Sequence, residues 1–309
     1  MKSKFINECH IEGYLYEHAL ERKVSGPNAK TPGTEYIRGT VSVATDDAMT
    51  NIVSVFYSYV VPTTSSGKSN NTYVVLNDII NGVHSSVMGS GADKAVKVRI
   101  DCALGLNEFP SERNGVEEFV SVKRNEGGFI HIVDVIAEKE NTRNTFKTDI
   151  VITNVRHIDA DEERGLPEKA IVKGAIFDFR KALLPVEYSV VNPQAIAYFE
   201  GADVSASNPL FTCVWGNQIS EVIVKKFVTE SAFGDDSVRE VKNTRKDFVI
   251  TGALKAPYEW DDENYITSED FRKMIADRET HVATLKQNRE EYKAAKTASA
   301  QPAPGGFNF

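Results

Sequence analysis

Two kinds of side chain in the first sixty residues could do chemistry at a surface. Tyr14, Tyr16 and Tyr36 offer flat rings, and Arg38 offers a planar guanidinium two positions beyond Tyr36. Rings stack on planar ligands, and a guanidinium neutralises anionic oxygens and also stacks. The phase of these residues sets them apart. Along residues 36–43, Ile37, Gly39, Val41 and Val43 alternate with Tyr36, Arg38, Thr40 and Ser42. A period of two marks a strand with one buried face and one free face. Leu15 takes the apolar side of the preceding segment, which sends Tyr14 and Tyr16 outward with Tyr36 and Arg38. Phe56 lies in phase with Ser54 and Ser58, while Lys97 and Arg99 alternate with Val96, Val98 and Ile100. Tyr57 and Tyr59 share the phase of Val53 and Val55, which leaves their face open. Aromatic residues on strands pack against neighbours more often than they bind, and alternating charges are also what any solvated face shows.

The groups that would carry catalysis do not assemble along the sequence. The six histidines (His10, His18, His84, His131, His157, His281) show no ligand spacing of the His-Glu-x-x-His kind. No Gly-x-Ser-x-Gly elbow occurs. Gly67-Lys68-Ser69 lacks the first glycine of a phosphate-binding loop, because Pro62 stands there. The acidic pairs Asp46-Asp47, Asp235-Asp236 and Asp261-Asp262 sit among turn residues, without a third carboxylate at a convincing spacing. The expectation is a non-enzyme with no cofactor and no metal.

Composition bounds the elements that must position these residues. A chain of 309 residues with 41% hydrophobic content is long enough for two domains. No apolar run approaches the roughly 20 residues that span a bilayer, and the first residues lack a signal-peptide core. Cys9, Cys102 and Cys213 are too scattered for a disulfide framework or a zinc site. A soluble cytoplasmic protein with no membrane partner is expected. The net charge of −8 argues against a nucleic-acid partner. Residues 1–124, however, carry 13 Lys and Arg against 14 Asp and Glu, a net of −1. Most of the acidity lies further along, and charge leaves the question open.

Strands are expected at residues 7–17, 35–47 and 52–61, each rich in β-branched and aromatic residues and bounded by turn formers. A polar loop (62–72) and a short helix (73–87) follow. Further strands are read at 95–104, 117–123 and 129–138, the last two separated by a hairpin turn at Arg124-Asn125-Glu126-Gly127-Gly128. The second half repeats the theme without a strict period. Strands are read at 170–179, 192–200, 210–214, 221–228 and 246–254. Trp215 in this half is more often a core anchor than a stacking platform. From Thr267 the pattern turns helical. Thr267 and Asp270 form a loose capping box, and Phe271, Met274, Ile275, Val282, Leu285 and Tyr292 recur near every 3.6 residues. That stripe needs a partner, either the body of the protein or a second copy in a homo-oligomer. The end, Ala-Gln-Pro-Ala-Pro-Gly-Gly-Phe-Asn-Phe, cannot form a core and is expected to be disordered.

One family gathers these features. Ile11-Glu12-Gly13-Tyr14-Leu15-Tyr16, the Thr31-Pro32-Gly33 loop and residues 37–46 resemble the opening of bacterial and phage single-stranded DNA-binding proteins. That family reads Ile/Val-x-Gly-Arg-Leu, then a Thr-Pro loop, then Ser-Ile/Val-Ala-Thr. The run from Trp215 to Glu221 resembles the ending of the family's third strand, departing at Ile219-Ser220. Phe307 and Phe309 stand where the family carries a protein-docking tip, here without its acidic residues. The resemblance implies oligonucleotide-binding (OB) barrels, single-stranded DNA as partner, and replication or recombination proteins met through the tail. Such proteins diverge widely, which accommodates a viral origin.

The sequence therefore predicts a mainly β protein of tandem OB-like small barrels with a C-terminal α-helix and a disordered tail. The expected divisions are residues 1–145, 146–256, 257–298 (linker and helix) and 299–309. The expected binding residues are Tyr14, Tyr16, Tyr36, Arg38, Phe56, Lys97, Arg99 and Trp215, with Phe307 and Phe309 for partner docking. They would bind single-stranded DNA without sequence preference, by stacking and phosphate contacts. The alternative is a structural or assembly protein, such as a virion component, whose β domains make protein contacts only.

Overall fold

Alternation of apolar and polar residues builds the first unit. The computed structural model describes residues 4–113, 116–160, 167–229, 237–260 and 265–299. Strands β1 (Asn7–Val24), β2 (Glu35–Ala44) and β3 (Ile52–Val60) run antiparallel in succession. Helix α1 (Asn71–Ile80) and the single turn α2 (Val87–Ser90) lead to a long hairpin, β4 (Lys97–Arg113) and β5 (Val116–Val133). β4 also pairs with β1, and β5 meets β3 in a short parallel contact at Val55 and Phe56. Those pairings close a barrel. Ile11, Leu15, Ile37, Val41, Tyr57 and Ile100 fill it, each at 0% exposure. Asn70 caps α1 by accepting from the Thr72 amide at 3.1 Å, and Leu76 and Ile79 of that helix join the core.

The second unit repeats the order. β6 (Asn144–Ile158), β7 (Lys169–Phe177) and β8 (Leu183–Val190) precede α3 (Pro193–Glu200), followed by the hairpin β9 (Leu210–Thr229) and β10 (Ser237–Ala253). β6 pairs with β7 and β9, and a parallel contact between Val249 and Ser189 joins β10 to β8. Phe146, Tyr188 and Phe248 pack together inside, with Ile196 and Phe199 of α3 against them. Both units have the strand order of small OB-like barrels.

Residues Asn7–Ile11 of β1 pair with Asn144–Thr148 of β6, so the two barrels share one ten-stranded sheet. The Asn7 amide donates to the carbonyls of Leu104 at 2.9 Å and Phe177 at 3.1 Å, one in each barrel. A third apolar cluster lies outside the second barrel. There Phe5 and the segment around Tyr258, Trp260, Ile266 and Phe271 cover Val151, Phe177 and Phe211. Asp149, fully buried beneath them, accepts from the Ile6 amide at 2.8 Å and the Tyr258 hydroxyl at 3.0 Å. Helix α4 (Ser268–Ser299) then runs along the β4–β5 hairpin. Its start is a reciprocal capping box, with the Asp270 amide on Thr267 Oγ1 at 3.0 Å and the Thr267 amide on Asp270 Oδ2 at 3.4 Å.

Several sequence expectations are corrected. Residues 124–128 are no turn but continue β5, with Arg124–Glu126 paired to β4 and a bulge at Gly127 and Gly128, whose φ values are 64° and 95°. A side chain at Gly128 would meet the Asp101 carbonyl at 2.2 Å. Residues 192–200 are helix α3, because Asn192 accepts from the Gln194 amide as an N-cap and Pro193 fits the first helical position. β6 and β8 were missed. β6 buries both faces along Thr148–Ile152, which erases its alternation. Trp215 begins a run on the fourth strand of its barrel, not the third. The apolar stripe of α4 buries Phe271 but leaves Tyr292 at 66% exposure. Of the tail expected at residues 299–309, Ser299 is the last residue of α4, and the rest, with Phe307 and Phe309, lies outside the described residues.

Two predictions follow from this packing. Arg278 grips Glu108 with two hydrogen bonds, one of 2.6 Å, and their side chains are 15% and 7% exposed. Glu108→Ala strands the guanidinium and should lower unfolding stability by about 3–5 kcal/mol in denaturant titrations. His157 holds Glu200 of α3 at 2.7 Å, with Glu168 and Asp159 at 3.3 and 3.4 Å. The hydrogen bond to Glu200, reinforced by the nearby carboxylates, raises the His157 pKa above 6.5. Its stabilising effect is complete below pH 6.5 and is lost as pH rises through the raised value. Thermal melts should show wild type exceeding His157→Gln in acid, with the gap closing at alkaline pH.

Candidate functional site

The outer face of β2, β3 and β5 carries a compact set of rings and cations. Phe56, half-buried on β3, lies between two guanidinium groups, with Arg38 of β2 at 5.5 Å from the ring centroid and Arg124 of β5 at 4.3 Å. Arg124 is held in turn by the Glu126 carboxylate. Further along the same strands, Tyr36 packs on Tyr59 with centroids 4.5 Å apart. The register explains the second pair. Ile37 faces Val60 and Gly39 faces Tyr57, so Ser58 and Tyr59 together oppose Arg38. That bulge turns Tyr59 outward, whereas Tyr57 stays in the core at 0% exposure.

The loop between β1 and β2 reaches the same place. Tyr59 Oη lies 3.2 Å from Ser25 Oγ and 3.3 Å from Thr31 Oγ1. These hydrogen bonds, that of Ser25 foremost, hold the Tyr59 phenol below its ordinary pKa and fix the ring under the loop. A groove of about 320 Å³ runs beside it, bounded by Ser58, Tyr59, Gly127, Gly128 and the 68%-exposed Phe129. The face thus offers two tiers. Arg38, Phe56 and Arg124 form one, and Tyr36, Tyr59 and Phe129 form the other, about 10 Å along the strands. Flat rings with fixed guanidinium groups can stack on planar groups and neutralise anionic oxygens.

The expected residues do not all gather here. Tyr36, Arg38 and Phe56 do. In the antiparallel β1–β2 pair Tyr14 stands opposite Ala44, while Arg38 stands opposite Glu21 and Tyr36 opposite Lys23. Six residues of strand, about 20 Å, therefore separate Tyr14 from Arg38. Tyr16 sits at a register shift in β1. Lys97 is the β4 partner of Tyr14 and donates to the Asp134 carbonyl at 3.2 Å. Arg99, exposed on β4, lies 3.8 Å from Asp101. Trp215 belongs to the second barrel, where its ring lies over Gly252 and is 38% exposed.

Sequence reading missed Tyr59, Arg124 and Phe129 as members of this face. The first was ambiguous because an extra residue shifts its phase, and the other two flank the glycine bulge mistaken for a turn. The signal that could have found them is a glycine pair within an otherwise strand-like run. Among the described residues no three His, Cys, Asp or Glu side chains converge to hold a metal. No helix among the described residues is long and apolar enough to cross a membrane.

The phase of β3 can be checked without a ligand. Tyr57 Oη is buried and has no hydrogen-bond partner among the described residues, and burial raises its pKa far above the ordinary value. Tyr57→Phe should therefore raise stability by about 1–2 kcal/mol in urea unfolding. A loss of that size would show that the hydroxyl has a partner.

No curated protein matches the sequence. Among solved structures, the chain is similar to a deletion mutant of the single-stranded DNA-binding protein from Thermus aquaticus, with a TM-score of 0.45 and 8% identity. That match covers 84% of this chain and 99% of the other. The YorF family model matches residues 6–288, and the chain belongs to the YorF family.

Proposed function

We propose that this protein binds single-stranded DNA without strong sequence preference, through the outer face of β2, β3 and β5, in replication or recombination. It acts by binding rather than by turnover. The observation that carries the reading is the Arg38–Phe56–Arg124 stack beside the Tyr36–Tyr59 pair. The strand 2–3 face of an OB barrel is where such folds take oligonucleotides. Every base has a π-face, so stacking on Phe56 and the tyrosines tolerates any sequence. The overall acidity is compatible with this, because binding depends on the local field, and Arg38 beside Phe56 forms no ion pair among the described residues, whereas Arg124 is paired with Glu126.

Fluorescence anisotropy with labelled oligothymidine at several salt concentrations tests the reading. Phe56→Ala should weaken binding by about 1–3 kcal/mol with little base dependence. Arg38→Ala should weaken all sequences alike and reduce the salt slope by about 0.7. Melting temperatures should change little, because both side chains point away from the barrel interior. A wild-type protein that binds no oligonucleotide at low salt sinks the proposal and leaves a role in protein contacts.

A further inference from the structure

Beside the face just described lies a larger concavity that this reading does not use. It has a volume of about 940 Å³ and is walled by β4 and β5 of the first barrel, the β7–β8 turn of the second, the N-terminal segment and α4. Ser58, Gly127 and Gly128 line both this cleft and the smaller groove beside Tyr59. The residues common to both are a serine and two glycines, which carry no large side chain.

The β7–β8 turn presents an unusual pair to this cleft. Phe179 is 87% exposed, more than any other large apolar side chain among the described residues. The Arg180 guanidinium lies 4.9 Å from its ring centroid. The turn is firmly built, since the Asp178 carboxylate accepts from the Arg180 amide at 2.8 Å and the Ala182 amide at 2.7 Å. The Lys181 amide also donates to the Asp178 carbonyl at 3.0 Å. A ring held in water by a fixed turn retains its stacking face for a ligand.

Charge points the same way. Four carboxylates line the cleft, and two of them are paired with arginines, Glu108 with Arg278 and Glu126 with Arg124. Asp178, whose carboxylate accepts from its own turn, and Asp277 remain against Lys4, Arg180 and Lys181, which form no ion pair among the described residues, an excess of one positive charge. An anionic chain with planar groups fits this lining better than an apolar or cationic partner.

We infer that a single DNA strand leaving the Tyr36–Phe56 face crosses Gly127–Gly128 into this cleft and meets Phe179 and Arg180 there, so that both barrels hold one continuous strand. The inference rests on the proposed function and adds a second contact point and a length requirement to it.

The full chain is titrated with labelled oligothymidines of roughly 8 nucleotides, within reach of one barrel, and roughly 30, enough for two. The double variant Phe179→Ala/Arg180→Ala should bind the long oligomer about tenfold or more weaker and the short one as wild type does. Its melting temperature should match wild type, because both side chains are exposed. Arg180→Ala alone should lower the salt slope by about 0.7 on the long oligomer only. Unchanged affinity of the double variant for the long oligomer, while Phe56→Ala still weakens binding, overturns the cleft path and leaves the face intact. Equal weakening on both lengths also overturns it. A wild-type protein that binds neither length removes the inference together with the reading beneath it.

Discussion

The geometry of the molecule depends on a buried polar seam where the two barrels meet. Asn144, at the start of β6, donates to the Gln218 carbonyl at 2.6 Å and accepts from the Gln218 amide at 2.9 Å. Its side chain also reaches Thr45 of the first barrel at 3.2 Å. Asn125 of β5 donates to Gln218 Oε1 at 2.8 Å, and Asn51 accepts from the Ser220 amide at 2.6 Å. Thr45, Asn125, Asn144 and Gln218 are all less than 5% exposed. Asn125 Oδ1 and Gln218 Nε2 are buried without a partner among the described residues, but the bonds the seam does make would be lost on sliding, so it favours one relative placement of the barrels. An apolar patch of equal area would adhere without choosing a register.

The two barrels differ in what covers them. In the second, the outer surface beside β6 and β9 is roofed by Phe5, Trp260, Ile266 and Phe271. In the first, the face of β2, β3 and β5 stays open, and its aromatic and cationic groups meet solvent. Fixing β1 against β6 places the free face next to the β7–β8 turn and makes a cleft of the space between. Lys123 shows how closely the parts approach. Its amine from β5 lies over the rings of Tyr188 and Phe248 in the second barrel and donates to the Glu187 carbonyl. Burial lowers its pKa, which the nearby Asp247 and Glu187 offset only in part.

Strand irregularities, more than regular strands, shape the candidate site. The bulge opposite Arg38 turns Tyr59 out, and the Gly127–Gly128 bulge bends β5 and bares the floor between groove and cleft. Each inserts one residue into a ladder and reverses the phase beyond it. This is why alternation placed Ile37, Val41, Tyr36, Arg38 and Phe56 correctly yet left Tyr59 undecided and read Arg124 as part of a turn.

The amino-acid sequence by itself determined much of the local structure. β-Branched runs, a period of two and a capping box gave the first three strands, α1 and the start of α4, and with them a mainly β protein of small barrels. Part of the candidate face, Tyr36, Arg38 and Phe56, was legible because each sits in an unbroken stretch of alternation. Tertiary structure decided the rest. Antiparallel register carried Tyr14 about 20 Å from Arg38 although both point outward. β6 escaped notice because it is buried on both faces, one against its own barrel and the other against segments from the two ends of the described chain. Phe179 and Arg180 gain meaning only beside Gly127 and Glu108, which lie more than fifty positions away. Periodicity reports the face of a residue within its own element. Only the pairing of distant strands decides which faces meet.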